Sequence, residues 1–118
     1  MFSVVIYITP KPAPRIRLSR KGGKYYESWY NDYKNQIAAE VDKYVLGNLF
    51  TQNLKLNLHF YKNRPATAHD YGDVDNLAKG IMDALIGHLY KDDSQVKELY
   101  VDKNTDDVDR VVIECTII

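Results

Sequence analysis

Residues 54–61 read L-K-L-N-L-H-F-Y, and residues 74–85 read V-D-N-L-A-K-G-I-M-D-A-L. In the first stretch Leu54, Leu56, Leu58 and Phe60 fall on one side, and Lys55, Asn57 and His59 on the other. That is the period of a strand with one buried face. In the second, Val74, Leu77, Ala78, Ile81, Met82 and Leu85 recur at helical spacing, and Gly87 supplies a stop. A loop at 62–72 with Pro65 and Gly72 separates the two. Upstream, Tyr30, Tyr33, Ile37, Val41 and Tyr44 mark one face of another helix, with Ser28 as the expected N-cap and Gly47 as the stop. Residues 2–9, F-S-V-V-I-Y-I-T, are β-branched and aromatic and read as a strand ending at Pro10. Residues 10–24 hold Pro10, Pro12, Pro14 and a Gly-Gly pair, so they form a loop or extended arm. Residues 95–101 and 110–118 read as two further strands, joined by K-N-T-D-D-V-D (103–109) as a polar hairpin loop. The order β-α-β-α-β-β predicts an α+β fold, a small mixed sheet of about four strands with two helices. Residues 1–118 are expected to form a single domain with a basic arm at 10–24.

A chain of 118 residues with 45% apolar and 27% charged side chains is ordinary globular composition, which excludes a largely disordered or collagen-like chain. Lys plus Arg and Asp plus Glu each number 16, so no bulk field drives the protein onto a polyanion. The single Cys115 excludes an internal disulfide and fits a reducing compartment. Val4–Ile8 is too short to cross a membrane and lacks a basic leader, so a cytoplasmic protein is expected.

The zero balance hides an asymmetry. Residues 11–24 carry Lys11, Arg15, Arg17, Arg20, Lys21 and Lys24 and no acid. Residues 91–109 carry Asp92, Asp93, Glu98, Asp102, Asp106, Asp107 and Asp109 against three lysines. The basic arm lies next to Tyr25, Tyr26, Trp29 and Tyr30, a combination that can meet phosphates and stack on bases. The alternative is a solvated loop.

The most informative stretch is G-D-V-D-N-L-A-K, residues 72–79. Asp73 and Asp75 stand at a helix start, where the dipole favours negative charge and Asp is a good cap. Capping needs only one of them. Lys79, four residues after Asp75, shares its helix face and forms either an ordinary i,i+4 pair or a cation beside a carboxylate cluster. K-D-D-S-Q-V (91–96) is a normal turn sequence, yet it also stands where a strand begins. If Asp93 meets Asp73 and Asp75, the three make a hard-oxygen site for Mg²⁺ or Mn²⁺.

Other candidates carry less. Asp102, Asn104, Asp106 and Asp107 resemble a Ca²⁺ loop, but Asp107 stands where Gly is needed and Ile113 where Glu is needed. His69-Asp70 has only His59 and His88 as partners. Cys115 shares a strand face with Val111, Ile113 and Ile117 and reads as core. Gly22-Gly23 lacks the ending of a phosphate loop.

Residues 73–96, D-V-D-N-L-A-K-G-I-M-D-A-L-I-G-H-L-Y-K-D-D-S-Q-V, resemble the RusA-type Holliday junction resolvases, small crossover-junction endodeoxyribonucleases typical of prophages. The shared pattern is D-x-D-N-L-x-K, then D-A-L, then D-D-x-Q-V. The resemblance implies that Asp73, Asp75 and Asp93 bind Mg²⁺, with Mn²⁺ as a substitute, and that Lys79 is the catalytic lysine. Asp83 and Asp92 would support them. It implies a homodimer acting on branched DNA, with Lys11, Arg15, Arg17, Arg20 and Lys21 on the phosphates and no small-molecule cofactor. A nuclease for flaps or forks, a non-catalytic junction-binding protein and a purely structural α+β domain are the competing readings.

Overall fold

The computed structural model describes residues 1–14, 17–18, 24–25 and 27–118; of Arg17, Leu18, Lys24 and Tyr25 it describes the backbone. The elements are β1 (Phe2–Ile6), β2 (Arg17–Leu18), β3 (Lys24–Tyr25), α1 (Ser28–Val45), β4 (Leu54–Lys62), α2 (Val74–Leu85), β5 (Val96–Thr105) and β6 (Arg110–Ile117). The main sheet runs β1-β6-β4-β5, and β2 and β3 form a separate two-stranded ladder. β4 pairs parallel with β5, and antiparallel with β6, which pairs antiparallel with β1. The fold is α+β with one four-stranded mixed sheet and two helices, in the order read from the sequence.

The alternation in β4 sets the core. Leu54, Leu56, Leu58 and Phe60 are fully buried. The register places Val4 and Ile6 of β1 and Val111, Ile113 and Cys115 of β6 on that same side. The helices answer with Tyr30, Tyr33, Ile37 and Val41 from α1 and Leu77, Ile81 and Leu85 from α2. Each such side chain contributes about 2 kcal/mol of transfer free energy. Parallel strands cannot be joined by a tight turn, and α2 provides the crossover from β4 to β5.

Three expectations are corrected. Residues 103–109 are not a hairpin, because β5 and β6 are not neighbours: β4 lies between them. β5 runs on to Thr105, and the chain then crosses the end of β4, where Asp106 donates its N–H to the Lys62 carbonyl at 3.1 Å. Tyr44 is 63% exposed, and Val45, one turn past Val41, takes the inward place. Ser28 is the first helical residue of α1; Glu27 is the N-cap, and its side chain accepts from Trp29 Nε1 at 2.6 Å rather than capping. Among the described residues no helix is long and apolar enough to cross a membrane.

Candidate active site

The head of α2 is built by a close approach. Gly72 has φ +100°, and a Cβ there would stand 2.8 Å from Cβ of Pro12. Only glycine accepts both conditions without strain. Ala13 donates its N–H to the Asn76 carbonyl at 3.0 Å, and Lys11 donates its N–H to the Tyr33 hydroxyl at 3.2 Å. The first residues of the Pro-rich arm therefore clasp the start of α2.

Asp73 is the N-cap of α2 by backbone, but its side chain makes no capping bond. Among the described residues, Asp75 Oδ1 accepts only from the N–H of the next residue, Asn76, at 2.9 Å. Capping does not account for this pair of carboxylates.

Between α2 and β5 lies a cleft of about 520 Å³. Its apolar wall is Val74, Ala78, Met82, Leu99 and Val101, and its charged wall is Asp75, Lys79, Asp83 and Asp93. The i,i+4 partner of Lys79 is Asp83, not Asp75: Lys79 Nζ donates to Asp83 Oδ2 at 3.1 Å. The hydroxyl of Tyr30, fully buried on α1, donates to that same oxygen at 2.8 Å. The core thus fixes the carboxylate that fixes the lysine.

Asp92 and Asp93 have different environments. Asp92 caps the 3-10 turn Asp93–Gln95, accepting from the Ser94 N–H at 3.0 Å. The Ser94 side chain first, and its backbone N–H second, hold the Asp92 carboxyl below the usual range. Gln95 closes the box: its Oε1 accepts from the N–H groups of Lys91 and Asp92, and its Nε2 donates to the carbonyls of Phe50 and Gln52. Asp93 faces the cleft, half-buried, and accepts from the Tyr90 hydroxyl at 2.9 Å. Burial pushes its carboxyl up, the Tyr90 bond pulls it down, Asp83 adds repulsion and Lys79 relieves part of it. The net direction is upward, set first by burial.

The structure brings Asp75, Lys79, Asp83 and Asp93 into one cleft. Asp73 is exposed at the helix cap and does not line it. Among the described residues, no three His, Cys, Asp or Glu side chains stand gathered as a ready ion-binding group. Lys11 sits with its Nζ 5.7 Å over the Trp29 ring. Arg15, Arg20, Lys21 and Tyr26 lie outside the described residues, as do the side chains of Arg17, Lys24 and Tyr25. Cys115 is buried, with its thiol pushed up to about 11, and has no nucleophilic character. Sequence reasoning missed three residues that organise the cleft: Tyr30, Tyr90 and Gln95. Gln95 had a signal, its place in D-D-S-Q-V; Tyr30 read as a helix-face or base-stacking position, and Tyr90 had no reading of its own.

A small mixed sheet backed by two helices, with a lysine and several carboxylates along one cleft, defines an α+β protein suited to phosphodiester chemistry. The family model described as Endodeoxyribonuclease RusA matches residues 8–116. The chain belongs to that family of endodeoxyribonucleases. No curated protein matches it.

Proposed function

We propose that the protein is a structure-selective endonuclease that resolves four-way DNA junctions by Mg²⁺-dependent hydrolysis, acting as a homodimer in recombination and repair in a prokaryotic or phage-infected cytoplasm. The observation that carries the reading is the cleft itself. Asp75 and Asp93, far apart in sequence, line the same cleft as Lys79, in a chain of the RusA family.

The donors suit a hard divalent ion. They are carboxylates, hard oxygen donors, and Asp75, Asp83 and Asp93 line the same cleft. Asp75 and Asp93, with Asp73 drawn in from the helix cap, would hold it. A bound Mg²⁺ supplies an acidified water and offsets phosphate charge. Lys79 places its ammonium toward the cleft to stabilise charge on the scissile phosphate. Asp83 orients Lys79, and Tyr30 orients Asp83. Lys11, Arg15, Arg17, Arg20 and Lys21 hold the DNA arms through phosphates, which gives salt-dependent affinity without base reading. Two protomers related by a two-fold axis present two sites to opposite strands of a junction.

The test is a synthetic four-way junction beside a linear duplex, a flap and a fork, each with and without Mg²⁺. Paired symmetric nicks in the junction alone, dependent on the ion, are expected. Preferred cutting of flaps or forks moves the reading to another branched substrate. Tight junction binding with no nicking under any condition makes the protein a non-catalytic binder.

A further inference from the structure

Asp93 sits on a surface turn, where a carboxylate samples several rotamers unless something selects one. The selecting group comes from the core. Tyr90 is fully buried, and its hydroxyl reaches Asp93 Oδ1 at 2.9 Å. We propose that Tyr90 is a positioning residue of the nuclease site: its hydroxyl fixes one oxygen of Asp93, so that the other faces the cleft in a single orientation. The inference rests on the nuclease reading above.

The anchorage of Tyr90 supports it. Its backbone bridges Phe50 on one side and Ile86 on the other. Gly87 donates its N–H to the Tyr90 carbonyl at 2.7 Å, and Phe50 donates to the Leu89 carbonyl at 2.9 Å. Ring and backbone are therefore held independently of Asp93. Satisfying a buried phenol does not explain the contact either. The Met82 carbonyl lies 3.3 Å from the same hydroxyl, and a phenol has one proton to give. The shorter distance assigns that proton to Asp93. The turn bearing Asp93 is clamped at both ends by the Asp92 cap and Gln95. The backbone is thus set by one group of contacts and the carboxylate by Tyr90.

Tyr90→Phe keeps the ring and removes the donor. Tyr71→Phe is the comparison: Tyr71 is equally buried, and its hydroxyl donates to the Asn104 carbonyl at 2.7 Å instead of to a cleft residue. Single-turnover nicking, Mg²⁺ half-saturation and ion-free junction affinity are measured for both. Tyr90→Phe is expected to slow nicking about 10–100-fold and raise the Mg²⁺ half-saturation, the scale seen when a group behind a metal ligand is lost. Junction affinity should stay unchanged. Tyr71→Phe should lower the melting temperature without changing the rate. In an Asp93→Asn background, Tyr90→Phe should add no further loss. If Tyr90→Phe does not fold, Tyr90→Met, which fills the space without a donor, should show the same loss. Wild-type rate and Mg²⁺ dependence in either folded Tyr90 variant, or an equal rate loss in Tyr71→Phe, overturns the assignment while leaving the nuclease reading intact. A wild-type protein that never nicks removes the nuclease reading, and the Tyr90 assignment falls with it.

Discussion

The cleft between α2 and β5 and the acidic turn after β5 are built from the same residue type and use it differently. In the turn, each acid with a resolved contact is matched to a protein donor. Asp109 accepts from the Thr9 hydroxyl at 2.9 Å and the Asn63 N–H at 2.7 Å, and Asp106 pairs with Arg110 at 2.9 Å. On the neighbouring sheet face, His59 lies between Asp102 at 3.0 Å and Glu114 at 2.9 Å. In the cleft, Asp75, Asp83 and Asp93 line one surface with Lys79, which pairs with Asp83, and the Tyr30 and Tyr90 hydroxyls donate to Asp83 and Asp93. Counting acids does not separate the two regions; their setting does, since the acids of the cleft line an open cavity beside a lysine and those of the turn tie one chain segment to another.

The largest expected effect comes from breaking the cleft side of this contrast. Asp75→Asn should reduce nicking by a factor on the order of 10²–10³, as losing a preorganised charge does. Junction binding should persist, and the melting temperature should be equal or higher, because one repelling charge is gone. Loss of stability instead would make Asp75 a structural residue like those of the turn. Next in size is Gly72→Ala, which forces a side chain into left-handed backbone against Pro12. It should cost about 2–3 kcal/mol in denaturant unfolding. A smaller cost would mean that the clasp between the arm and α2 is loose.

Asp109→Ala tests the turn side. Its two donors lose their partner, so unfolding should become easier by about 1–2 kcal/mol, with nicking unchanged. A nicking defect in Asp109→Ala would erase the distinction between the regions. The smallest effect is a pH dependence. Burial pulls the His59 pKa down, but the bonds to Asp102 and Glu114 outweigh it and the net shift is upward. The folded protein therefore holds this proton more tightly than the unfolded chain. The stabilisation is full below the unfolded value near 6.5 and fades as pH rises through the higher folded value. The difference in stability between wild type and His59→Gln should shrink from pH 6 to pH 8.5 and stay within about 1 kcal/mol for so exposed a network. A difference that grows with pH would contradict the assignment.

What was legible in the sequence follows from what periodicity can carry. Leu54, Leu56, Leu58 and Phe60 gave β4 its buried face because side-chain direction in a strand is strictly local. The cleft side of α2 was legible as D-x-D-N-L-A-K, since residues on one helix face are fixed by spacing. Strand neighbours are not local: 103–109 reads as a hairpin loop because nothing in those residues reveals β4 between β5 and β6. Partner choice is equally hidden. Lys79 has acids four residues away on both sides, and its spacing does not say that Asp83, which also accepts from Tyr30, is the one it pairs with. Tyr90 carries no pattern at all, because its role depends on a turn three residues later folding back over the core.

The most direct measurement of the central claim is thermal unfolding across a Mg²⁺ titration, for wild type and Asp75→Asn side by side. If the cleft carboxylates are arranged for a divalent ion, wild type should melt progressively higher as Mg²⁺ binds the folded state. Asp75→Asn should start at or above the ion-free wild type and respond little. A wild-type melting temperature indifferent to Mg²⁺, or equal shifts in both proteins, would contradict the claim.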